Sequence, residues 1–334
     1  MEQLETWFAR RTYHHSRFEP AEHLAELKER TGQTISLCLP TRNEGATIGP
    51  IVRVLREALV ERIPLLDEVV VMDAGSSDGT GAAAEAEGAT VLLETEVLAE
   101  GGTAVGKGEA LWKSVYACTG DILCWVDSDI ANIHPRFVTG LLGPLVADPS
   151  VAYVKGFYER PITVTGSDGH KDLVDGAGGR VTELLARPLL NAFWPPLAGI
   201  VQPLSGEFAG RRELMERVPF YSGYGVELGL LVDILNEVGI EAVAQVDLDR
   251  RVHRNQSLAN LSRMSFGILQ TALAHLVEEG RMDEGTWATL YAQFATDAGE
   301  RRMEARDICA TKRLPMVKLE AYERRREELA GRPG

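Results

Sequence analysis

Positive charge is scarce in this chain. Lys and Arg total 35 against 49 Asp and Glu, a formal net charge of −14. A surface built to hold nucleic acid is basic, so that partner is not expected. A local basic pocket for a small anion remains compatible with the total. Cysteine is also sparse: Cys38, Cys118, Cys124 and Cys309, with no Cys-x-x-Cys pair. Cys38 and Cys124 lie inside apolar runs, which suits buried thiols in a reducing compartment rather than a disulfide framework or a zinc knuckle. No apolar run approaches the ~18 residues of a membrane span. The opening Met1-Glu2-Gln3-Leu4-Glu5 is acidic where a signal core would be apolar. A cytoplasmic protein with no membrane or nucleic-acid partner is therefore expected.

What is present is a strand–helix alternation from Gln33 to Val126. Apolar runs at Ile35–Leu39, Glu68–Met72, Thr90–Leu93 and Asp121–Val126 are separated by stretches of helical spacing at Ile48–Arg62 and Lys107–Cys118. Such repeats imply right-handed crossovers and a mostly parallel sheet. The second half is less regular. A strand is predicted at Ala152–Tyr158 and another at Glu241–Val246. A Gly- and Asp-rich loop is expected over Thr165–Gly179. Helices are predicted at Val181–Phe193, Val226–Val238, Leu258–Glu279 and, from its Arg/Glu spacing, Arg301–Leu329. This divides the chain into an N-terminal helical segment (1–32), two halves of one α/β domain (33–150 and 151–260) and a helical C-terminal extension (261–334).

Asp127-Ser128-Asp129 closes the fourth apolar run. Two carboxylates around one small residue at a strand's carboxyl end can hold a divalent cation against a diphosphate, since Mg²⁺-class ions take hard oxygen ligands. The competing reading is an acidic cap for the helix near His134. Pro40 stops the first strand and exposes Thr41 to Glu44, where a carboxylate suits ribose hydroxyls. Asp73-Ala74-Gly75 ends the second strand, where an Asp can accept from a nucleobase. Gly101 to Gly108 has the glycine and lysine spacing of a phosphate loop, but Gly108 stands where that loop needs Ser or Thr, and the preceding stretch is acidic. A flexible loop delivering Lys107 to an anion fits better. Gly179-Arg180-Val181-Thr182 reads as a glycine turn, a guanidinium and a helix start, an anion pocket. Glu207 and Glu227 each end a glycine-punctuated turn. Arg251, His253 and Asn255 follow the last predicted strand; His253 is either a metal's nitrogen ligand or a structural histidine.

Together, the ordered motifs Gly106 to Trp112, Asp127-Ser128-Asp129, Gly179 to Leu184, Arg187 to Leu190, Gln202 to Glu207, Gly223 to Glu227 and His253-Arg254-Asn255 resemble glycosyltransferase family 81, the glucosyl-3-phosphoglycerate synthases. The resemblance covers roughly residues 33 to 260. It implies a GT-A fold and a retaining, metal-dependent transfer of mannose or glucose from a GDP- or UDP-sugar to the 2-hydroxyl of 3-phosphoglycerate. It places Pro40, Glu44, Asp73, Ala74, Asp127, Ser128 and Arg251 on the donor, and Gly179, Arg180, Thr182 and Asn255 on the acceptor. Asp129 and His253 would ligate Mg²⁺ or Mn²⁺. Lys107 and Glu227 would contact the donor near the reacting centre, and with Asp129 they form the candidate catalytic set. A homodimer is implied. Arg42, beside Asn43, departs from the smaller residue of the family pattern and leaves the choice of nucleotide open. Two other classes compete: a sugar-nucleotide pyrophosphorylase, for which the first strand lacks the expected glycine-rich arginine loop, and a non-enzymatic acidic scaffold.

Overall fold

The computed structural model describes residues 2–330 except 103, 105, 166–170, 175–177, 253–255, 286, 298 and 299. Its main sheet is built from β1 (Thr12–His14), β2 (Ile35–Thr41), β3 (Glu68–Asp73), β4 (Thr90–Leu93), β5 (Ile122–Trp125), β6 (Tyr153–Glu159), β7 (Phe208–Arg211) and β8 (Val243–Arg250). Their spatial order is β1-β8-β6-β7-β5-β2-β3-β4. Every pairing is parallel except those of β7, which runs antiparallel to both neighbours. The mixed α/β architecture with a mostly parallel sheet expected from the alternation is what the chain adopts, in keeping with the GT-A fold that the resemblance implies.

Helices cover both faces, and the period of two along each strand decides which side chain meets which layer. Leu37, Leu39, Val71, Cys124, Val154 and Val246 face one core, under helices α2 (Ala21–Thr31), α3 (Ile48–Arg56) and α6 (Arg136–Ala147). Cys38, Met72, Trp125, Tyr153 and Phe208 face the other. That second core is closed by α5 (Lys107–Ala117), α8 (Val226–Val238) and α9 (Leu258–Glu278), with Trp7 of α1 (Glu2–Arg11). Elsewhere lie α4 (Thr80–Ala86), α7 (Arg187–Phe193), α10 (Glu320–Ala330) and the one-turn helix Arg212–Met215.

Three readings of the sequence are corrected. The N-terminal segment is not purely helical: Thr12–His14 adds an edge strand beside β8. The stretch read as a loop contains a strand, Lys171–Val174, paired antiparallel with Ile162–Thr165. The Arg/Glu spacing at 301 does not continue a helix. Glu300–Asp307 pairs antiparallel with Leu290–Asp297, and helix returns only at Glu320. The alternation of Tyr291, Gln293, Ala295 with Ala292, Phe294 and Thr296 supplies a strand partner, which outweighs weak surface ion pairs between charges four apart.

Candidate active site

The parallel strands end at one edge of the sheet, and antiparallel β7 begins there. Register makes this concrete: Cys38 pairs with Trp125, Trp125 with Phe208, and Phe208 with Lys155. The residues just beyond, Pro40, Asp127, Glu207 and Tyr158, therefore converge. Pro40 and Asp127 line a cleft of about 370 Å³, and Glu207 and Tyr158 are not among its lining residues. Pro40, Glu44, Ala74, Lys107, Asp127, Ser128, Asp129, Gly179, Arg180, Thr182, Glu227 and Arg251, all singled out in the sequence, line it. His253 and Asn255 lie outside the described residues.

At the floor, Lys107 Nζ, the first residue of α5, is 2.5 Å from Asp127 Oδ1 and 3.1 Å from Glu227 Oε1. Arg251, just past β8, reaches Asp127 Oδ2 at 3.0 Å, Asp129 Oδ1 at 2.5 Å and Glu207 Oε1 at 3.2 Å. Burial works against each charge here. For Lys107 the adjacent Asp127 and Glu227 outweigh it and hold the ammonium protonated well above the ordinary lysine range. For Asp127, Lys107 and Arg251 outweigh it and keep the carboxylate ionised well below the usual range. Glu207 is fully buried, and there burial wins and pushes its acid up. Tyr158 donates its hydroxyl to Glu207 at 2.5 Å, and Arg160 donates to the Tyr158 oxygen at 3.0 Å.

Glycines make this crowding possible. A Cβ on Gly206 would sit 2.2 Å from Asp127 Oδ2. Gly106, at φ +118°, brings the start of α5 against the backbone of Gly223, where a Cβ would sit 2.7 Å from its Cα. Far along the chain, Arg313 locks α5 from behind. It donates both arms of its guanidinium to buried Glu109 at 2.7 Å and reaches the carbonyls of Gly101 and Gly102.

The nucleotide end of the cleft is two loops tied together. Asn43, at φ +57°, donates its N–H to Ser76 Oγ and accepts from Ser77 N; Glu44 N donates to Thr80, and Gly45 N to Asp78. Thr47 Oγ donates to Ser128 O, and Ser128 Oγ to Pro40 O. Asp73 is turned inward: buried, it accepts from the N–H and hydroxyl of Ser76, and it does not line the cleft. Ala74, the next residue, lines the cleft, and Asp73 braces the turn. Across the cleft, Arg180 donates to Gln256 O, while Glu183 pairs with Arg187 instead. Ser257 caps α9, which contributes Asn260, Leu261 and Met264 to the wall.

Arg160, Tyr158 and the wall from α9 were missed by sequence reasoning. Arg160 stands one residue past a strand end, the only signal it offered. Glu207, which ends one of the glycine-punctuated turns, is buried behind Tyr158 and Arg251 and does not line the cleft.

Residues 36–222 match the family model described as glycosyl transferase family 2. A glucosyl-3-phosphoglycerate synthase of Petrotoga mobilis is 45% identical over 315 residues, spanning 94% of this chain and 95% of that protein. One from Mycobacterium tuberculosis is 42% identical over 298 residues, 89% of this chain and 90% of that protein. Among solved structures, mannosyl-3-phosphoglycerate synthase from Rubrobacter xylanophilus is similar with a TM-score of 0.85 and 38% identity, covering 95% of this chain and 98% of that one. Glucosyl-3-phosphoglycerate synthase from M. tuberculosis, in complex with Mn²⁺, UDP and phosphoglyceric acid, gives 0.76 and 39%, over 88% and 94%.

Proposed function

The chain belongs to glycosyl transferase family 2, as a hexosyltransferase of the glucosyl-3-phosphoglycerate synthase type, and we propose that it moves glucose or mannose from a nucleoside-diphosphate sugar to the 2-hydroxyl of 3-phosphoglycerate with retention of configuration. One observation carries this reading: a single cleft is lined both by Lys107, Asp127 and Asp129 and by Gly179, Arg180 and Thr182.

The floor suits a divalent cation. Among the described residues, the carboxylates of Asp127, Asp129 and Glu227 at the cleft, and of Glu207 buried behind it, are ion-paired there with Lys107 and Arg251. The guanidinium of Arg251 already draws on Asp129 Oδ1, a hard oxygen at the cleft wall. Asp129, with His253, would hold Mg²⁺ or Mn²⁺. Bound there, the ion supplies Lewis-acid charge to the diphosphate oxygens. The chain's residues do the rest. The tied loops at Pro40–Glu44 and Ala74 orient the nucleoside. Lys107, kept protonated by its two carboxylates, faces the charge that grows on the departing diphosphate, so it stabilises the transition state more than the bound donor. Arg180, Thr182 and Asn255 grip the acceptor's phosphate and carboxylate. The bond from the anomeric carbon to the diphosphate breaks as a bond to the acceptor oxygen forms on the same face, and the hydroxyl proton passes to the leaving phosphate oxygen. Glu227, beside Lys107, orients the sugar.

A homodimer fits the C-terminal hairpin. Phe294 and Met303 are cross-strand partners, and together with Leu290 they leave 72%, 62% and 62% of their surfaces exposed on one face. Buried free thiols at Cys38, Cys118 and Cys124 suit the cytoplasm, and recovery of the native chain in oxidised, disulfide-linked form would argue against that. Among the described residues no helix is long and apolar enough to cross a membrane.

A donor panel of UDP-glucose, GDP-glucose and GDP-mannose with 3-phosphoglycerate tests the reaction. Product mass and the anomeric NMR signal read it. An inverted anomer removes the same-side mechanism, and no glycosylated product with any donor removes the function.

A further inference from the structure

On the far side of β8 from the cleft floor, the N-terminal segment brings two imidazoles onto one carboxylate. β1 runs parallel to β8 with His14 opposite Asp247. Between Asp247 and Arg250 the register slips, and Asp249 takes φ +65°, unusual for a residue with a side chain. His14 Nε2 is 3.0 Å from Asp249 Oδ1, and His15 Nε2 is 2.8 Å from Asp249 Oδ2. The three ligand atoms lie within 4.8 Å of one another. None of these side chains lines the cleft.

The outer nitrogens are also held. His14 Nδ1 lies 2.8 Å from Ser16 Oγ, and His15 Nδ1 lies 3.0 Å from Glu19 Oε1. A histidine whose far nitrogen rests on a carboxylate or hydroxyl oxygen is oriented as metal-ligating histidines are. Ligation through both Nε2 atoms would make each Nδ1 a donor, to Ser16 Oγ and Glu19 Oε1, and His14 would give up the 3.3 Å bond in which its Nδ1 accepts from Ser16 N–H. Two imidazoles and one carboxylate, with room for water, make the donor set of a borderline ion; a Mg²⁺-class ion wants more oxygen. In a tetrahedral zinc site neighbouring ligand atoms stand about 3.3 Å apart. Each Nε2 stands a few tenths closer than that to its own oxygen of the Asp249 carboxylate, and the three ligand atoms lie within 4.8 Å of one another. Arg136, whose Nε lies 3.5 Å from Asp249 Oδ2, also donates to Leu248 O, and that bond can hold it when an ion arrives.

We propose that His14, His15 and Asp249 form a second metal site, for a divalent cation of the Zn²⁺ class, which staples the N-terminal segment to the end of β8. Arg251 lies two residues beyond Asp249, so the staple steadies the strand that delivers it to Asp127 and Asp129.

The test uses the full chain, stripped with chelator and carrying Asp129→Asn to weaken the cleft's own metal site, in excess Mg²⁺. Titration with Co²⁺ should give a visible d–d absorption band that saturates at one ion per chain, and Zn²⁺ should displace it. Asp249→Asn or the His14→Ala/His15→Ala pair should abolish the band, and Glu19→Gln should weaken binding about tenfold or more. Zn²⁺ should raise the Tm of the Asp129→Asn chain and leave that of the chain also carrying Asp249→Asn unmoved. Absence of the band in the Asp129→Asn chain, or its survival in Asp249→Asn, overturns the site. If the double histidine variant does not fold, Asp249→Asn, with a half-exposed side chain, decides the matter alone. A failed donor panel with an intact Co²⁺ band would sink the glycosyl-transfer reading and leave this one standing.

Discussion

Lys155 should be replaceable by methionine with a gain in stability. It lies on β6, 1% exposed, opposite Phe208 and Gln245, and its Nζ has no hydrogen-bond partner among the described residues. Burial pushes its amine down from the ordinary 10.5 to about 7, against the pull of Glu227, Glu207 and Asp127 and with the help of Lys107. Between about 7 and 10.5 the unfolded chain holds a proton that the folded chain has released, so stability rises with pH across that window. The penalty is fully present at and below pH about 7 and fades as pH approaches 10.5. The gap corresponds to an upper bound on the order of 5 kcal/mol. The Nζ sits 4.9 Å from the centroid of the Phe208 ring. That contact favours the charged form by about 0.5–2 kcal/mol, too little to cancel the penalty. Methionine keeps the length of the stem and removes the amine. Lys155→Met should therefore be more stable than the parent by about 2–4 kcal/mol at pH 7, with the advantage shrinking steadily toward pH 10. Urea melts of both chains across that range measure it, and the other titrations cancel in the difference. A methionine variant that is less stable at pH 7, or a difference independent of pH, would refute the account of an uncompensated buried amine.

Asp129→Asn should lower turnover about 100-fold or more and leave the Tm of the metal-free chain within a few degrees; undiminished metal-dependent activity would remove Asp129 from the reaction. Gly206→Ala should force Asp127 away from Lys107 and Arg251, and a displacement near 1 Å is worth about 100-fold in kcat/KM; a variant with parental kinetics would show that the close approach is dispensable. Phe294→Asp should give a monomer by light scattering at concentrations where the parent is a dimer, and an unchanged mass would move the interface elsewhere.

Much of the cleft was legible because its parts sit at strand ends, and strand ends are marked locally. The apolar run Ile122–Trp125 stops where two Asp flank a Ser, and that is where β5 meets the cleft. Lys107 could be separated from a phosphate loop by Gly108 and by the acidic stretch before the loop. A strand-end Asp looks alike in sequence whether it faces a ligand or braces its own turn; in the fold Asp73 Oδ1 accepts from the N–H and hydroxyl of Ser76, three residues on. The C-terminal hairpin misled because charges four apart fit a helix, while its pairing partner lay outside the window that periodicity inspects.

The sequence by itself determined the alternating layers, the sheet edge that carries the chemistry and the residues that could act there, because period, turn glycines and strand stops are written in neighbouring positions. Only the tertiary structure decided who partners whom. Asp127 is held by Lys107, 20 residues before it, and Arg251, 124 residues after it; Glu109 is held by Arg313 across 204. Burial strengthens an electrostatic contact and makes an unpaired charge costly. The same lysine chemistry is therefore held charged at 107 and driven toward neutrality at 155, and nothing in the order of the residues distinguishes the two.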